Sequence, residues 1–273
     1  MKTPIISSQE LAELLADSNL IVLDASPATN VSGLVSDLEG LQIKGARHFD
    51  LKTNFSDTES DYPNTIPSVQ QFQEEARKLG INKNSVIVVY DNLGIYTAPR
   101  VWWLFNTFGH KNIAVLDGGL PDWVAQGYTT EEVRKKRVSL GNFAAKLNSA
   151  NIKDYAAVKE NIDSGNELVV DARSTGRFNG TTPEPRTGLR SGSIPNSVNI
   201  PFENVLEDGK YKSQEELTAI FEGIIAEDKP LVFSCGSGLT ACIILLASVL
   251  VQEQETSVYD GSWTEWAQLE SNA

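Results

Sequence analysis

Short apolar runs alternate along this chain with longer segments in which apolar residues recur every three or four positions. The short runs are rich in valine and isoleucine, which is typical of buried β-strands. The longer segments have the period of amphipathic helices, and helices are predicted to start after Ser7 and to cover 69–79 and 214–225. This alternation predicts an α/β fold with a largely parallel sheet. The predicted strands are 20–24, 86–90, 112–116, 168–171, 231–234 and 256–260.

The two halves of the chain resemble each other. Four segments of the first half recur in the same order in the second, and in the last pair Asp117 corresponds to Asp260 and Trp123 to Trp266. Such an ordered repeat predicts two homologous domains, each a mainly parallel sheet flanked by helices, because a solenoid needs more and shorter units. The predicted boundaries are 1–130 for the first domain, 131–149 for a polar linker and 150–273 for the second domain.

The charge balance argues against a nucleic acid as partner, and the length of the apolar runs argues against a membrane. The chain has 273 residues, with 23 lysines and arginines against 36 aspartates and glutamates, so its formal net charge is −13. A nucleic-acid-binding surface needs clustered basic residues, and the one basic cluster, Arg134–Arg137, falls in the predicted linker. The longest apolar run, Cys242–Val251, is about half the length of a membrane span. We therefore expect neither a nucleic acid nor a membrane as partner.

The residues that bind metals are few. Two cysteines, one methionine and two histidines occur, whereas a structural zinc site usually takes four cysteine or histidine ligands. We expect no metal and no organic cofactor. The first residues lack a continuous apolar stretch of the kind found in signal peptides, so the expected location is the reducing cytoplasm, where a working thiol is stable.

The clearest chemical signal follows the predicted strand 231–234. Cys235 stands at the carboxyl end of that strand, where open α/β sheets place their sites. Gly236 and Gly238 let the backbone curl, and the helix that follows directs its positive end at the loop. These features favour a thiolate nucleophile with an anion beside it. Cys235 could instead be a small buried residue; Cys242, inside an apolar stretch, is predicted to fill the core.

The first half provides an internal comparison. In its matching segment, Asp91 takes the place of Cys235. A carboxylate cannot replace a thiolate in sulfur chemistry, so the first domain is expected to be catalytically silent.

A long loop after the predicted strand 168–171 carries three arginines, Arg177, Arg186 and Arg190. Glycine, proline and threonine dominate it, and long loops at strand ends often carry function. The planar guanidinium suits the oxygens of a carboxylate or of thiosulfate. The loop could therefore form an anion site, although solvated surface charge remains the alternative.

Taken together, these segments resemble the two-domain rhodanese family of sulfurtransferases. The resemblance extends through the long loop, the repeated Asp-Gly motifs and the segment 98–103. The sequence Cys235-Gly-Ser-Gly-Leu-Thr240 is similar to the loop of the 3-mercaptopyruvate sulfurtransferases of this family. Thiosulfate-preferring members tend to carry basic residues in that loop.

The resemblance implies a mechanism. The Cys235 thiolate takes sulfur from the donor, pyruvate leaves, and a thiol, thioredoxin or cyanide removes the sulfur from the resulting persulfide. Arg177 and Arg186 would hold the carboxylate and keto oxygens of mercaptopyruvate, and Ser237 would help to deliver a proton to the leaving enolate. The substrate-binding residues implied in this way are Arg177, Arg186, Gly236, Ser237, Gly238, Leu239 and Thr240.

The chain also departs from the family pattern. Relatives often have a histidine where this chain has Asn64, and an acidic residue where it has Lys52. A Ser-His-Asp proton relay therefore cannot be carried over to this protein. His48 is near in the alignment, and we expect it to be a packed histidine rather than a substitute.

Other functions remain open at this stage. A dual-specificity phosphatase would share the fold, but its loop is longer and ends in arginine, whereas Ala241 follows Thr240 here. A non-catalytic binding module would be expected to lack the cysteine in both halves. Within the enzyme interpretation, thiosulfate is the alternative donor. The expected oligomeric state is a monomer.

Overall fold

The computed structural model describes residues 1, 3–30, 32–134 and 137–270. They form two compact units. Unit 1 contains Met1–Asp57, Ile66–Asn148 and Asp208–Tyr211. Unit 2 contains Thr58–Thr65, Ser149–Glu207 and the chain from Lys212 to the end of the described residues. The short segment Thr58–Thr65, although it comes from the first half of the sequence, therefore belongs to unit 2.

The centre of unit 1 is a parallel sheet of five strands within its described residues. The buried strand Val86–Tyr90 lies between Leu20–Asp24 and Ile113–Leu116, and Leu20 pairs with Val86 and Asp24 with Tyr90. The strands predicted at 20–24 and 86–90 are confirmed, and the third starts one residue later than predicted. The strand order is Ile5–Ile6, Ile113–Leu116, Val86–Tyr90, Leu20–Asp24 and Arg47–His48.

The helices of unit 1 begin where the sequence provides a cap or a favourable first turn. Ser7 accepts a hydrogen bond from the Glu10 backbone and Glu10 bonds back to the Ser7 backbone, a reciprocal cap. Ser68 caps the helix predicted at 69–79, which is confirmed over Val69–Lys78. The helices are Ser8–Leu14, Val69–Lys78, Ala98–Thr107 and Gly119–Ala125.

The polar segment after residue 129 is more ordered than its composition indicated. Thr130–Glu132 forms a strand that pairs antiparallel with Leu41–Ile43. Further on, Phe143 is buried, and its ring lies 5.8 Å from each of the rings of Phe72 and Phe105. Backbone pairing and one aromatic side chain therefore hold a segment that we expected to be irregular. Lys135 and Lys136 of the predicted basic cluster lie outside the described residues.

Unit 2 has the same strand order as unit 1. Its central strand Leu231–Ser234 pairs in parallel with Leu168–Asp171 and with Thr256–Tyr259. The strands predicted at 168–171 and 231–234 are confirmed, and the last strand ends one residue earlier than predicted. The shared order supports the internal repeat. Read from the same edge as in unit 1, the order is Ile152–Lys153, Thr256–Tyr259, Leu231–Ser234, Leu168–Asp171 and Val198–Asn199.

The helices of unit 2 include the most apolar one in the described chain. Thr240–Val249 is buried over almost its whole length, so the residue before it is placed by a rigid core helix. The predicted helix 214–225 is confirmed. Thr175–Phe178, which we expected to be loop, forms one helical turn instead. The α-helices are Tyr155–Ser164, Thr175–Phe178, Gln214–Ile225, Thr240–Val249 and Ser262–Leu269, with 3₁₀ turns at Ser149–Asn151 and Phe202–Val205 and a short strand at Leu206–Glu207. The short strand Lys210–Tyr211 belongs to unit 1.

Within the described residues, none of the helices combines the length and the apolar character needed to cross a lipid bilayer.

Candidate active site

Cys235 lies between the central strand of unit 2 and its buried helix. It directly follows Ser234, which pairs with Asp171 at the carboxyl edge of the sheet. Cys235 is 2% exposed, and the helix begins at Thr240. Among the residues that the structure describes, no side chain caps this helix, and in its first turn the Cys242 N–H donates to the Leu239 carbonyl oxygen at 3.0 Å. The strand and the helix thus place the thiol beside a positive helix end.

The loop between them needs both of its glycines. Gly238 has φ +78°, a left-handed conformation that residues with a Cβ rarely adopt. A Cβ on Gly236 would lie 2.9 Å from Nη2 of Arg177 and 3.6 Å from Nη1 of Arg186. The missing side chain at Gly236 therefore leaves room for the Arg177 guanidinium group, whereas the distance to Arg186 is that of an ordinary contact.

Both arginines that the resemblance implied for substrate binding are brought together here. Arg186 donates from Nη2 to Oγ of Ser237 at 3.1 Å. Arg177 comes close to Gly236, and its side chain is 22% exposed. In a chain with a net charge of −13, two arginine side chains therefore lie close to the loop that carries Cys235.

A buried chain of alternating charges holds Arg177 in place. Arg173 pairs with Asp171 at 2.6 Å and with Glu184 at 2.8 Å, and none of the three side chains is more than 1% exposed. The other oxygen of Glu184 pairs with Nη2 of Arg177 at 2.6 Å. Buried charges are tolerated only when paired in this way. We did not predict a role for Glu184, although its place beside Arg186 in a proline-bounded motif was a usable signal.

The third arginine of the loop has a different environment. The guanidinium carbon of Arg190 lies 4.9 Å from the ring centre of Trp263. Trp263 in turn donates from Nε1 to the Arg190 carbonyl oxygen at 2.7 Å. Arg190 thus packs against an aromatic ring, and within the described residues its recorded contacts do not include the Cys235 loop.

A turn near the end of the chain fastens the loop from the other side. Ser262 accepts a hydrogen bond from the Cys235 N–H at 3.2 Å, and Trp263 and Thr264 donate to the carbonyl oxygens of Cys235 and Gly236 at 2.9 and 3.1 Å. Ser262 has φ +52°, unusual for a residue with a side chain. This role was not predicted, but the repeat contained the signal, because Gly119 is the matching residue of unit 1.

Asn64 belongs to this site. It is 9% exposed, and its Nδ2 lies 3.0 Å from both the carbonyl oxygen and Oγ of Ser237. Lys52, the second departure from the family pattern, donates within unit 1 to the carbonyl and hydroxyl oxygens of Thr29. His48, which we expected to be packed, is instead exposed, in the edge strand Arg47–His48 of the unit 1 sheet.

The remaining predicted loop residues lie between Cys235 and the helix. Leu239 is 9% exposed and precedes Thr240, the first residue of the helix. Cys242 is completely buried, and its Sγ lies 3.4 Å from the carbonyl oxygen of Gly238. The prediction that Cys242 fills the core is confirmed.

The matching loop of unit 1 is filled by a carboxylate. Asp91 is fully buried and accepts four backbone N–H groups: one from Leu93 at 3.0 Å, and three from Tyr96, Thr97 and Ala98 at 2.8 to 2.9 Å. Burial raises the pKa of Asp91, and these hydrogen bonds oppose that shift. The curled loop of this fold therefore provides backbone donors that suit an anion.

No cluster of three or more potential metal-binding side chains occurs in the part of the chain that the structure describes. What the site does offer is a thiol, two guanidinium groups, a hydroxyl and a helix N-terminus. Such a set can attack a soft electrophile and stabilise the anion that forms.

Comparisons with known proteins agree with this arrangement. Rhodanese-like domains match residues 7–126 and 154–269. 3-Mercaptopyruvate sulfurtransferase from Homo sapiens is 42% identical over 272 residues, which cover 96% of this chain and 91% of the relative. Thiosulfate sulfurtransferase from Rattus norvegicus is 41% identical over 275 residues, with the same coverage.

A solved structure shows the same similarity in three dimensions. SseA from Escherichia coli, whose crystal structure concerns the rhodanese fold and the mechanism of 3-mercaptopyruvate sulfotransferases, has a TM-score of 0.85 at 32% identity and covers 96% of this chain and 99% of its own. The resemblance inferred from the motifs is confirmed. With two matching domains and full-length relatives above 40% identity, this chain belongs to the rhodanese family.

Proposed function

We propose that this protein is a sulfurtransferase that moves sulfur from 3-mercaptopyruvate to a thiol or cyanide through a persulfide on Cys235. The observation that carries the proposal is the convergence of Arg177 and Arg186 on the glycine next to Cys235. A small donor with a carboxylate and a keto group has oxygens for both guanidinium groups. Its sulfur would then face the thiol.

The reaction balances without an external oxidant. The Cys235 thiolate attacks the donor sulfur, a sulfur–sulfur bond forms, and the carbon–sulfur bond breaks. The bonding electrons leave with the carbon as the enolate of pyruvate. The proton of the donor thiol, now on the persulfide, passes to the enolate carbon to give the methyl group of pyruvate. The acceptor then attacks the outer sulfur and regenerates the thiolate.

Thiosulfate is the alternative donor, since a relative of similar identity is named for it. The loop residues Gly236–Leu239 carry no charge of their own. The planar guanidinium groups of Arg177 and Arg186, of which Arg177 already holds Glu184 through Nε and Nη2, suit the planar carboxylate of mercaptopyruvate better than a loop of point charges would. Mercaptopyruvate is therefore the donor that the arrangement favours.

The acceptor and the setting are also part of the proposal. A small thiol or a protein thiol such as thioredoxin would remove the sulfur. The proposed setting is a reducing compartment such as the cytoplasm, in which the Cys235 thiol stays available for reaction. A monomer would be complete, because the site residues described above all come from one unit of one chain.

The decisive experiment is a donor comparison with cyanide as acceptor. We expect kcat/KM for mercaptopyruvate to exceed that for thiosulfate by about tenfold or more, the equivalent of one good charge-assisted hydrogen bond. Cys235→Ser should abolish turnover with both donors, and intact mass should show no added sulfur on the variant. Cys242→Ala is the matched control and should retain activity.

Preference for thiosulfate would overturn the donor assignment and leave the persulfide chemistry standing. If neither donor turns over and Cys235 gains no sulfur, the enzyme proposal is wrong and a binding module becomes the better interpretation.

A further inference from the structure

The hydroxyl of Ser237 has an unusual pair of neighbours. Its oxygen accepts one hydrogen bond from Nη2 of Arg186 at 3.1 Å and another from Nδ2 of Asn64 at 3.0 Å. A guanidinium group has no acceptor atom. The orientation of the Asn64 amide is also fixed, because the same nitrogen lies 3.0 Å from the Ser237 carbonyl oxygen, which can only accept. Both neighbours of the hydroxyl are therefore donors.

A hydroxyl has two lone pairs and one hydrogen. At Ser237 the two donors occupy both lone pairs, and the hydrogen is left over. Within the described residues, the hydrogen bonds recorded for this hydroxyl include no acceptor for that hydrogen. Ser237 is only 6% exposed, so bulk water is a poor substitute. The hydrogen is available to an acceptor that enters the loop beside Cys235.

We propose that Asn64 is a positioning residue that, together with Arg186, fixes the orientation of the Ser237 hydroxyl. In that orientation the hydroxyl always donates its hydrogen bond to the sulfur-supplying substrate at Cys235. This inference rests on the proposed function. Neither the Asn64 amide nor the Arg186 guanidinium can take a proton from Ser237 at neutral pH. Ser237 therefore stabilises the developing negative charge without giving up its proton, and the methyl proton of pyruvate comes from the donor thiol. This differs from the proton delivery that we expected for Ser237.

The backbone at Asn64 makes a sharp test possible. Its φ is +63°, in the left-handed region that asparagine and aspartate tolerate better than other side chains. Asn64→Asp therefore keeps the shape and the backbone preference but replaces a donor by an acceptor. The carboxylate would accept the Ser237 hydrogen and turn the hydroxyl away from the site.

We would measure persulfide formation in a single turnover, and kcat and KM at steady state, with mercaptopyruvate. Asn64→Asp should lower kcat by about 10- to 100-fold, the usual effect of losing a hydrogen bond to a charged group. Asn196→Asp is the matched control: Asn196 has φ +62°, is exposed and belongs to the same unit, so its rate should stay at the unaltered value.

A double variant separates positioning from a general structural role. Ser237→Ala should slow the reaction to a similar degree, and adding Asn64→Asp to it should cost no further rate, because the two residues act through one hydroxyl. Asn64→Gly, which fits the positive φ and adds no charge, serves if Asn64→Asp does not fold. We expect Asn64→Gly to lower kcat about tenfold when Ser237 is present, and to have no further effect when it is combined with Ser237→Ala.

The inference is overturned if Asn64→Asp and Asn64→Gly turn over at the unaltered rate, or if their effects persist in full beside Ser237→Ala. Failure of the proposed function is distinguishable, since the unaltered protein and Asn196→Asp would then both fail to form the persulfide, and both proposals would fall.

Discussion

Arg177 and Arg186 both lie close to Gly236, but different residues hold them there. Arg177 is clamped by Glu184, which belongs to a buried network of ion pairs, so its position is set before any substrate arrives. Arg186 is held by the Ser237 hydroxyl of the reactive loop itself. A change at Arg186 should therefore be felt directly in substrate binding.

We predict that Arg186→Lys lowers kcat/KM for mercaptopyruvate by about 10- to 100-fold, because an ammonium group keeps the charge but loses the planar fork. Steady-state kinetics with cyanide as acceptor measures the effect. Arg190→Lys is the matched control from the same loop, because Arg190 packs on Trp263. An equal loss in both variants would contradict the assignment of Arg186 to the donor.

At the scale of elements, the two units use the same strand, loop and helix for different ends. In unit 2 the loop surrounds a thiol, whereas in unit 1 the Asp91 carboxylate accepts the N–H groups of its loop. Gly119 shows how tightly that loop is packed, since a Cβ there would lie 2.4 Å from the Asp91 carbonyl oxygen. In unit 1 the loop therefore contributes to stability, because the Asp91 carboxylate occupies the place of a bound anion.

We predict that Asp91→Ala destabilises unit 1 by about 2–4 kcal/mol, because buried backbone N–H groups lose their acceptor. Chemical denaturation followed by fluorescence measures the change. Asp37→Ala, at an exposed position of the same unit, should leave the midpoint unchanged. Below its melting temperature Asp91→Ala should still transfer sulfur, and loss of transfer in the folded variant would argue against a silent first domain.

At the scale of the whole molecule, the duplicated fold carries one reactive thiol in the proposed function. Cys235 is 2% exposed at a loop, whereas Cys242 is fully enclosed in a core helix. We predict that loading with excess mercaptopyruvate adds one sulfur atom per chain.

Intact mass before and after treatment with cyanide measures this stoichiometry. Cys242→Ala should also gain one sulfur, whereas Cys235→Ser should gain none. A second sulfur on the unaltered chain, absent from Cys242→Ala, would show that the core cysteine is reactive after all.

Much of the fold could be predicted because its signals are local. Strand 86–90 and residues 231–233 of strand 231–234 are continuous apolar runs, and the periods of strand and helix are visible within a few residues. The polar segment after residue 129 misled us, because a single buried ring at Phe143 is invisible to a pattern dominated by charges. The ion-pair partner Glu184 was missed since charged residues are mostly exposed.

Inspection of the residues in order is enough to identify the α/β class, the internal repeat, the glycine loop around Cys235 and the replacement of that cysteine by Asp91 in the first half. The folded chain was needed to identify which of the three arginines approach that loop, and to place Asn64 beside Ser237, from which it is separated by 173 positions of sequence. The difference comes from the distance along the chain over which each interaction acts. Periodicity and turn chemistry act over neighbouring residues, whereas a hydrogen bond or ion pair depends on where the folded backbone brings two distant side chains.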